Sequence, residues 1–339
     1  MAGIPLTRCQ FLIPFAEILD SLGAPTEKFL TKFRLPTSLA EKADLYVPIL
    51  PAIRFAEAAA RSQGIVDFGF QAARHLHFAH LSEKLRTLIV HSPTLLVALQ
   101  QVCKWASLED TVLSMWLEFQ DDRIRICSRL IGTEGVPHLE HSQWLQLVFP
   151  IHIVRHFAGP QWNPATIAFQ AQYTPTLDTQ SFWPNSRFLS GQHAAWIDVP
   201  ISLLSLPGRP DEAPVSQGVD GDGPSDRELV ASLKLMLPAY LDQGAPTLAE
   251  AAEMAGLSAR SFQRKLSQAG FSYSSLIEAA RFDNASKLLH NTDSRIIEIA
   301  LSSGYADHAH FTRAFRRMTG VSPRQFRVQS RERLFSSPG

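Results

Sequence analysis

Two stretches in the last third of the chain place hydrogen-bonding side chains at helical spacing. In ARSFQRKLSQ, Arg260, Gln263, Arg264 and Ser267 fall on one stripe of a helix, while Phe262 and Leu266 hold the other. In HAHFTRAFRRM, His308, Ala309, Thr312, Arg313 and Arg316 share a stripe, and Phe311 and Phe315 repeat the apolar i, i+4 pair. Arginine can bind guanine bidentately, glutamine can bind adenine, and threonine can meet a thymine methyl or a phosphate. The chemistry these residues offer is recognition of base edges, not bond breaking.

The charge distribution points the same way. The chain of 339 residues has 32 basic and 32 acidic residues. From Ser258 to Gly339, however, thirteen residues are basic and six acidic, a local charge of +7 that the rest of the chain balances with −7. A basic block of this kind fits a polyanion, nucleic acid first among them, although a solvated charged surface would look the same by charge alone. Hydrophobic residues make up 45% and charged ones 19%, an ordinary globular balance. No apolar run is long enough to span a membrane. MAGIPLTRCQFLIP, with prolines in its apolar part, does not read as a signal peptide. Three widely spaced cysteines, Cys9, Cys103 and Cys127, argue against a disulfide framework or structural zinc and for a reducing cytosol.

The elements that carry the two stripes are well punctuated. AEMAGLSARSFQRKLSQAG and ALSSGYADHAHFTRAFRRMTG both follow Ala-x3-Gly, then Phe-x-Arg-x and an apolar residue, then Gly, which is a helix, a tight turn and a helix. Gly256 and Gly304 supply the turn, and Ala252 and Ala300 let the second helix cross closely. Thr247 with Glu250 forms a capping box; Ser258, Ser274, Asp307 and Ser322 are the other expected caps. Helices are expected over about 226–242, 247–255, 259–268, 275–290, 295–302, 308–318 and 323–327. The helix between the two units would span roughly 25 Å and could hold two reading helices about one DNA turn apart.

Upstream, LPGRPDEAPVSQGVDGDGPSD cannot bury a core and reads as a flexible linker. The expected organisation is a domain over 1–206, a linker over 207–225 and a helical domain over 226–330. The first domain reads as α+β, with helices around 11–22, 51–63, 94–106 and 139–157 and strands over 111–119, 123–130, 165–171 and 195–199.

That first domain shows no catalytic signature. It has no glycine-rich phosphate loop and no Gly-x-Ser-x-Gly. His75, His77, His80, His138 and His141 are scattered, and Asp121 with Asp122 reads as a hairpin turn. His152 and His156 have a spacing that can bind zinc, but no His-Glu-x-x-His order is present and Pro150 interrupts the helix start. No metal and no cofactor are expected. Trp105, Trp116, Trp144, Trp162, Trp183 and Trp196 could line an apolar ligand pocket or fill the core.

At these residues the C-terminal region resembles the AraC/XylS-type transcriptional regulators. The resemblance rests on Ala252, Gly256, Leu257, Ser258, Phe262, Arg264 and Leu266, on Arg281, Ala285, Leu288 and Leu289, and on Ile296, Glu298, Ile299, Ala300, Gly304, Tyr305, Asp307, Phe311, Arg313, Ala314, Phe315 and Arg327, with Gly320, Ser322 and Pro323 in a specific Gly-x-Ser-Pro order. It implies an all-α domain with two helix-turn-helix motifs joined by a long helix, set in successive major grooves of double-stranded DNA. By motif position, Arg260, Gln263, Arg264, His308, Ala309, Thr312 and Arg313 would face bases. Ser267, Arg316, Arg317, Ser322 and Arg324 would meet phosphates, and Arg281 would pair within the domain. VDFGFQAARHL, HSPTLLVALQQVCKW, QWNPATIAFQ and FWPNSRFLSGQHAAWIDVPISLLSLP resemble the arabinose-binding-like subgroup that includes ornithine-utilisation regulators. That implies an α+β sensor or dimerisation domain, a small-molecule effector, RNA polymerase and a second copy of the chain as partners, and a cytoplasmic, non-enzymatic activator. A DNA-repair enzyme of related architecture would need a reactive cysteine cluster, and the three cysteines lack its spacing.

Overall fold

The computed structural model describes residues 3–133, 135–208 and 229–335. From residue 209 onward the expected linker, with the start of the helix expected at 226, lies outside the described residues. The chain divides into two compact units, Met1 with Pro5–Asp226, and Ala2–Ile4 with Arg227–Gly339.

The first unit is α+β. Strands β1 (Leu6–Arg8) and β2 (Tyr46–Pro48) pair antiparallel, flanking helices α1 (Ile13–Ser21) and α2 (Thr26–Lys32). Helices α3 (Ile49–Gln63), α4 (Phe68–Ala73), α5 (Glu83–Val90) and α6 (Leu95–Trp105) follow. Strands β3 (Leu113–Phe119) and β4 (Arg123–Leu130) form the expected hairpin across Asp121 and Asp122, with Trp116 opposite Cys127. Helix α7 (Glu140–Ala158) leads to β5 (Thr166–Ala168), α8 (Leu177–Ser181), β6 (Arg187–Leu189) and β7 (Ala195–Pro200). The five-stranded sheet has the order β3-β4-β7-β5-β6, antiparallel except for β5 with β6. Its apolar face, with Ile124, Ile126, Ile167 and Ile197, packs with Trp144, Leu147 and Ile151 of α7 and Leu95 and Leu99 of α6. The unit closes where the N–H groups of Leu95 and Leu96 donate to the carbonyls of Leu206 and Leu204.

The sequence foresaw α1, α3, α6, α7, β3, β4 and β7, but the strand expected over 165–171 is only the three-residue β5. Strands of three residues, β1, β2 and β6, carry too little alternation to announce themselves. Pro150 corrects one expectation: it sits inside α7 rather than at its start. A helix tolerates this by giving up the hydrogen bond from residue 150 to the carbonyl of Gln146.

The second unit is all helix: α9 (Leu229–Met236), a 3-10 turn (Leu237–Gln243), α10 (Leu248–Met254), α11 (Ala259–Gln268), α12 (Tyr273–Asn291), α13 (Ile296–Ser302), α14 (His308–Thr319) and α15 (Pro323–Phe335). The single helix expected to 242 is broken because Pro238 has no N–H to continue the α ladder. Ser272, not Ser274, caps α12, accepting from the Ser275 N–H at 3.1 Å. That adds two residues at the start, and the 19-residue helix makes a rod of about 28 Å at ~1.5 Å per residue. The last helix runs well beyond the short segment expected.

Candidate nucleic-acid interface

Each reading helix is fixed from below before anything is presented above. Thr247 and Glu250 close the capping box of α10, with the Thr247 N–H 2.8 Å from Glu250 Oε2 and the Glu250 N–H 3.3 Å from Thr247 Oγ1. Gly256 then turns the chain at φ +64°, a conformation L side chains resist. Ser258 caps α11 by accepting from the Ser261 N–H. Phe262 and Leu266 are buried against the unit, Phe262 meeting the Tyr273 ring at 5.7 Å.

The second pair repeats the plan with heavier packing. Gly304 turns at φ +78° and Asp307 caps α14, taking the His310 N–H at 2.6 Å. That backbone hydrogen bond holds the Asp307 carboxyl below its ordinary value. Phe311 and Phe315 are fully buried, 5.5 Å apart between ring centres, and join Tyr305, Phe282 and Phe326 in one aromatic cluster. Gly320, at φ +78°, ends the helix.

What the inner faces bury, the outer faces leave in solvent. Arg260, Gln263, Arg264 and Ser267 are all exposed on α11. On α14, His308, Ala309, Arg313, Arg316 and Arg317 are exposed. Arg317 stands 3.9 Å from Glu278, a solvent-exposed pair worth little to stability. Arg324 is exposed on α15, and Ser322 is half-buried in a cap, its hydroxyl donating to Gln325 Oε1 at 2.8 Å. Thr312 differs from its neighbours: it is half-buried, and its hydroxyl oxygen is enclosed without a hydrogen-bond partner among the described residues. Arg281 is internal, its guanidinium 5.6 Å from the Tyr305 ring centre and its Nε buried.

The first unit gathers other groups. His152 Nε2 lies 3.1 Å from the Leu76 carbonyl, and the His156 ring stacks on Phe78 at 5.8 Å, so this pair serves packing. Cys127 is buried on the sheet, where β-strand register brings it near Glu118 and His193, their potential ligand atoms within 4.8 Å of one another. His193 Nε2 and Glu118 Oε1 are 3.0 Å apart, and Trp116 donates to the same oxygen at 2.8 Å. Sequence spacing could not show this trio, because its members are neighbours only across paired strands.

The unit also contains a cavity of about 60 Å3. Phe11, Phe15, Ile53, Val102, Leu145 and Phe149 are among its walls, and Thr7, Glu109, Asp110, His141 and Gln146 are buried polar residues that line it. None of the six tryptophans lines it. Trp144 instead donates to the Tyr173 hydroxyl at 3.0 Å within the core.

An all-helical unit with two glycine-turned helix pairs, each offering a polar and basic outer face, joined to an α+β unit, defines a DNA-binding transcription regulator. The pattern of the family described as "Helix-turn-helix domain" matches residues 251–329, and that of the "Arabinose-binding domain of AraC transcription regulator, N-term" matches residues 23–182. The chain belongs to the AraC-type transcriptional regulators, which are not enzymes. The HTH-type transcriptional regulator VirS of Mycobacterium tuberculosis is 23% identical over 95% of this chain and 96% of its own length. The ornithine utilization regulator of Pseudomonas aeruginosa is 38% identical over 24% of each chain. The solved structure of the transcriptional regulator CdpR from Pseudomonas aeruginosa aligns with 89% of this chain and 96% of its own at 17% identity, with a TM-score of 0.36. No helix among the described residues is long and apolar enough to cross a membrane.

Proposed function

We propose that the protein is a sequence-specific, small-molecule-controlled transcription activator. The C-terminal unit reads duplex DNA with two helices. Arg260, Gln263 and Arg264 on α11, and His308, Ala309, Thr312 and Arg313 on α14, contact base edges, with Thr312 having to turn its hydroxyl outward to do so. Ser267, Arg316, Arg317, Ser322 and Arg324 hold phosphates. The N-terminal unit, over 1–206, binds the effector and pairs two copies of the chain, and the complex acts on RNA polymerase in the cytoplasm.

The observation that supports this reading is the exposure of Arg260, Gln263, Arg264 and Arg313 on two helices whose opposite faces are locked by Phe262, Leu266, Phe311 and Phe315. Long, charged side chains on rigid helices are what bidentate base recognition requires. The cavity beneath α7 supports ligand control, and the names of the ornithine and melibiose relatives fit a role tied to metabolites.

Selection of the full chain against a random duplex library tests the reading. The expected result is a two-part site with steep salt dependence. Equal affinity for every duplex would remove sequence-specific regulation. A chain that selects a site but responds to no small molecule would be a regulator whose N-terminal unit only dimerises or binds a protein partner.

A further inference from the structure

The five-stranded sheet has two faces. Ile124, Ile126 and Ile197 point into the core, so by strand alternation Trp116 and Glu118 on β3, Cys127 on β4 and Trp196 on β7 lie on the other. Neither DNA reading nor the cavity uses that second face. It nevertheless brings together a thiol, an imidazole and a carboxylate: the potential ligand atoms of Cys127, His193 and Glu118 all lie within 4.8 Å of one another.

Each donor arrives from a different segment. Cys127 is fully buried in the middle of the sheet, opposite Trp116 on one side and Trp196 on the other. Glu118 lies two residues along β3 from Trp116, whose indole donates to its Oε1 at 2.8 Å. His193 stands just before β7, where Arg129 Nη2 donates to its carbonyl and its own Nε2 lies 3.0 Å from the same Glu118 oxygen. The Cys127 thiol also hydrogen-bonds Glu118. One carboxylate thus gathers the indole, the imidazole and the thiol. The nearby cations are engaged elsewhere, Arg125 over the Trp196 ring at 4.2 Å and Arg129 at the His193 carbonyl.

We infer that Cys127, His193 and Glu118 form a binding site for zinc or a zinc-like divalent cation. Tetrahedral zinc, at about 2.0–2.1 Å from nitrogen and oxygen and about 2.3 Å from sulfur, puts its ligand atoms roughly 3.3–3.6 Å apart. The trio reaches that spacing by shifts of about an ångström. His193 is exposed and Glu118 half-buried, so both can make such shifts and the cation enters between them. Binding displaces the thiol proton, and thiolate and carboxylate then balance the two positive charges, which suits a partly buried place. Sulfur and nitrogen donors select against magnesium and calcium, which take oxygen sets. The fourth tetrahedral position is left to water on the solvent side. The bound cation ties β3, β4 and the segment before β7 together and so stabilises the unit. This site goes beyond the proposed function and does not depend on it. It departs from the sequence expectation of no metal, which could not register donors that only strand pairing brings together.

The test titrates the full-length protein, stripped of metal by a chelator, with cobalt(II) and then with zinc. Cobalt should give a thiolate-to-metal charge-transfer band that saturates at one equivalent. Zinc should bleach that band and raise the unfolding temperature. Magnesium should do neither. Cys127→Ala should remove the band, whereas Cys9→Ala and Cys103→Ala should keep it. Because Cys127 is buried and its substitution can disturb the sheet, His193→Ala, at an exposed position, supplies a second arm: zinc should bind at least about tenfold more weakly. No band with cobalt, a band that survives Cys127→Ala, or zinc affinity unchanged in His193→Ala would overturn the site and leave the trio as a hydrogen-bonded brace between strands. None of these outcomes bears on the DNA-binding reading, which is measured separately.

Discussion

The two helix pairs of the C-terminal unit follow one sequence plan but are held differently. At Gly256 a Cβ would meet nothing within 4 Å. At Gly304 it would lie 2.5 Å from the Leu241 carbonyl oxygen and 3.3 Å from Arg281 Nε. The first glycine is needed only for its left-handed backbone, whereas the second is also needed for a close approach. The aromatic packing shows the same contrast. Phe262 meets Tyr273, while Phe311 and Phe315 stand in a cluster of five rings. The second pair is the more tightly determined of the two, and the first carries the longer reading side chains.

Alanine at each glycine separates these roles most strongly. Gly304→Ala should cost about 3 kcal/mol or more, because left-handed strain of about 1–2 kcal/mol adds to a backbone clash that overpacking data place at about 1–3 kcal/mol. Gly256→Ala should cost only the strain. Denaturant unfolding of the full chain, followed by a probe in the C-terminal unit, measures both. Equal losses would mean that the two turns are equivalent after all.

Arg264→Ala and Arg313→Ala come next. Each should lose about 1–3 kcal/mol of specific binding and relax base preference in a different half of the site. Arg324→Ala should weaken binding to all sequences alike and flatten the salt slope by about one counterion. If both arginine substitutions relaxed the same base pair, the tandem arrangement would be wrong.

Much of this contrast was legible in the sequence, because caps, turn glycines and i, i+4 aromatics act over four or five residues. Thr247, Ser258, Asp307, Phe262 and Phe311 all play the parts their spacing assigned. What it could not show depends on distant partners. Gly304 looked like Gly256 because Leu241, which crowds it, lies some sixty residues earlier. Pro238 was read through, and Ser274 stood in for Ser272 because either serine suits a cap. The histidines drew attention by spacing, whereas Cys127, Glu118 and His193 meet only through strand pairing.

A smaller effect separates the two caps by pH. Ser258 does not titrate in acid, whereas Asp307 does. Its folded value lies below the ordinary 3.8, because the His310 N–H hydrogen-bonds the ionised form. Its contribution is therefore complete above about pH 3.8 and fades as pH falls through the folded value. Asp307→Asn keeps a capping side chain but removes the titration. Thermal unfolding from pH 2 to 5 should be less pH-dependent in that variant. An unchanged acid slope would mean that Asp307 does not couple the second pair to pH.

The smallest expected change is at Thr312, and it decides how wide the reading face of α14 is. Its hydroxyl oxygen is enclosed and unpaired among the described residues, while Arg313 beside it is exposed. Removing an unsatisfied buried hydroxyl is near neutral or mildly stabilising. Thr312→Val should therefore leave stability within about 1 kcal/mol of the parent chain, while weakening specific binding because the hydroxyl that turns outward on DNA is gone. A tenfold loss of specific binding with the fold intact would show that the side chain rotates outward on DNA. In that case α14 would read with a full stripe, as its spacing suggested. If binding is unchanged, base reading by α14 rests on His308, Ala309 and Arg313 alone, a narrower set than α11 presents.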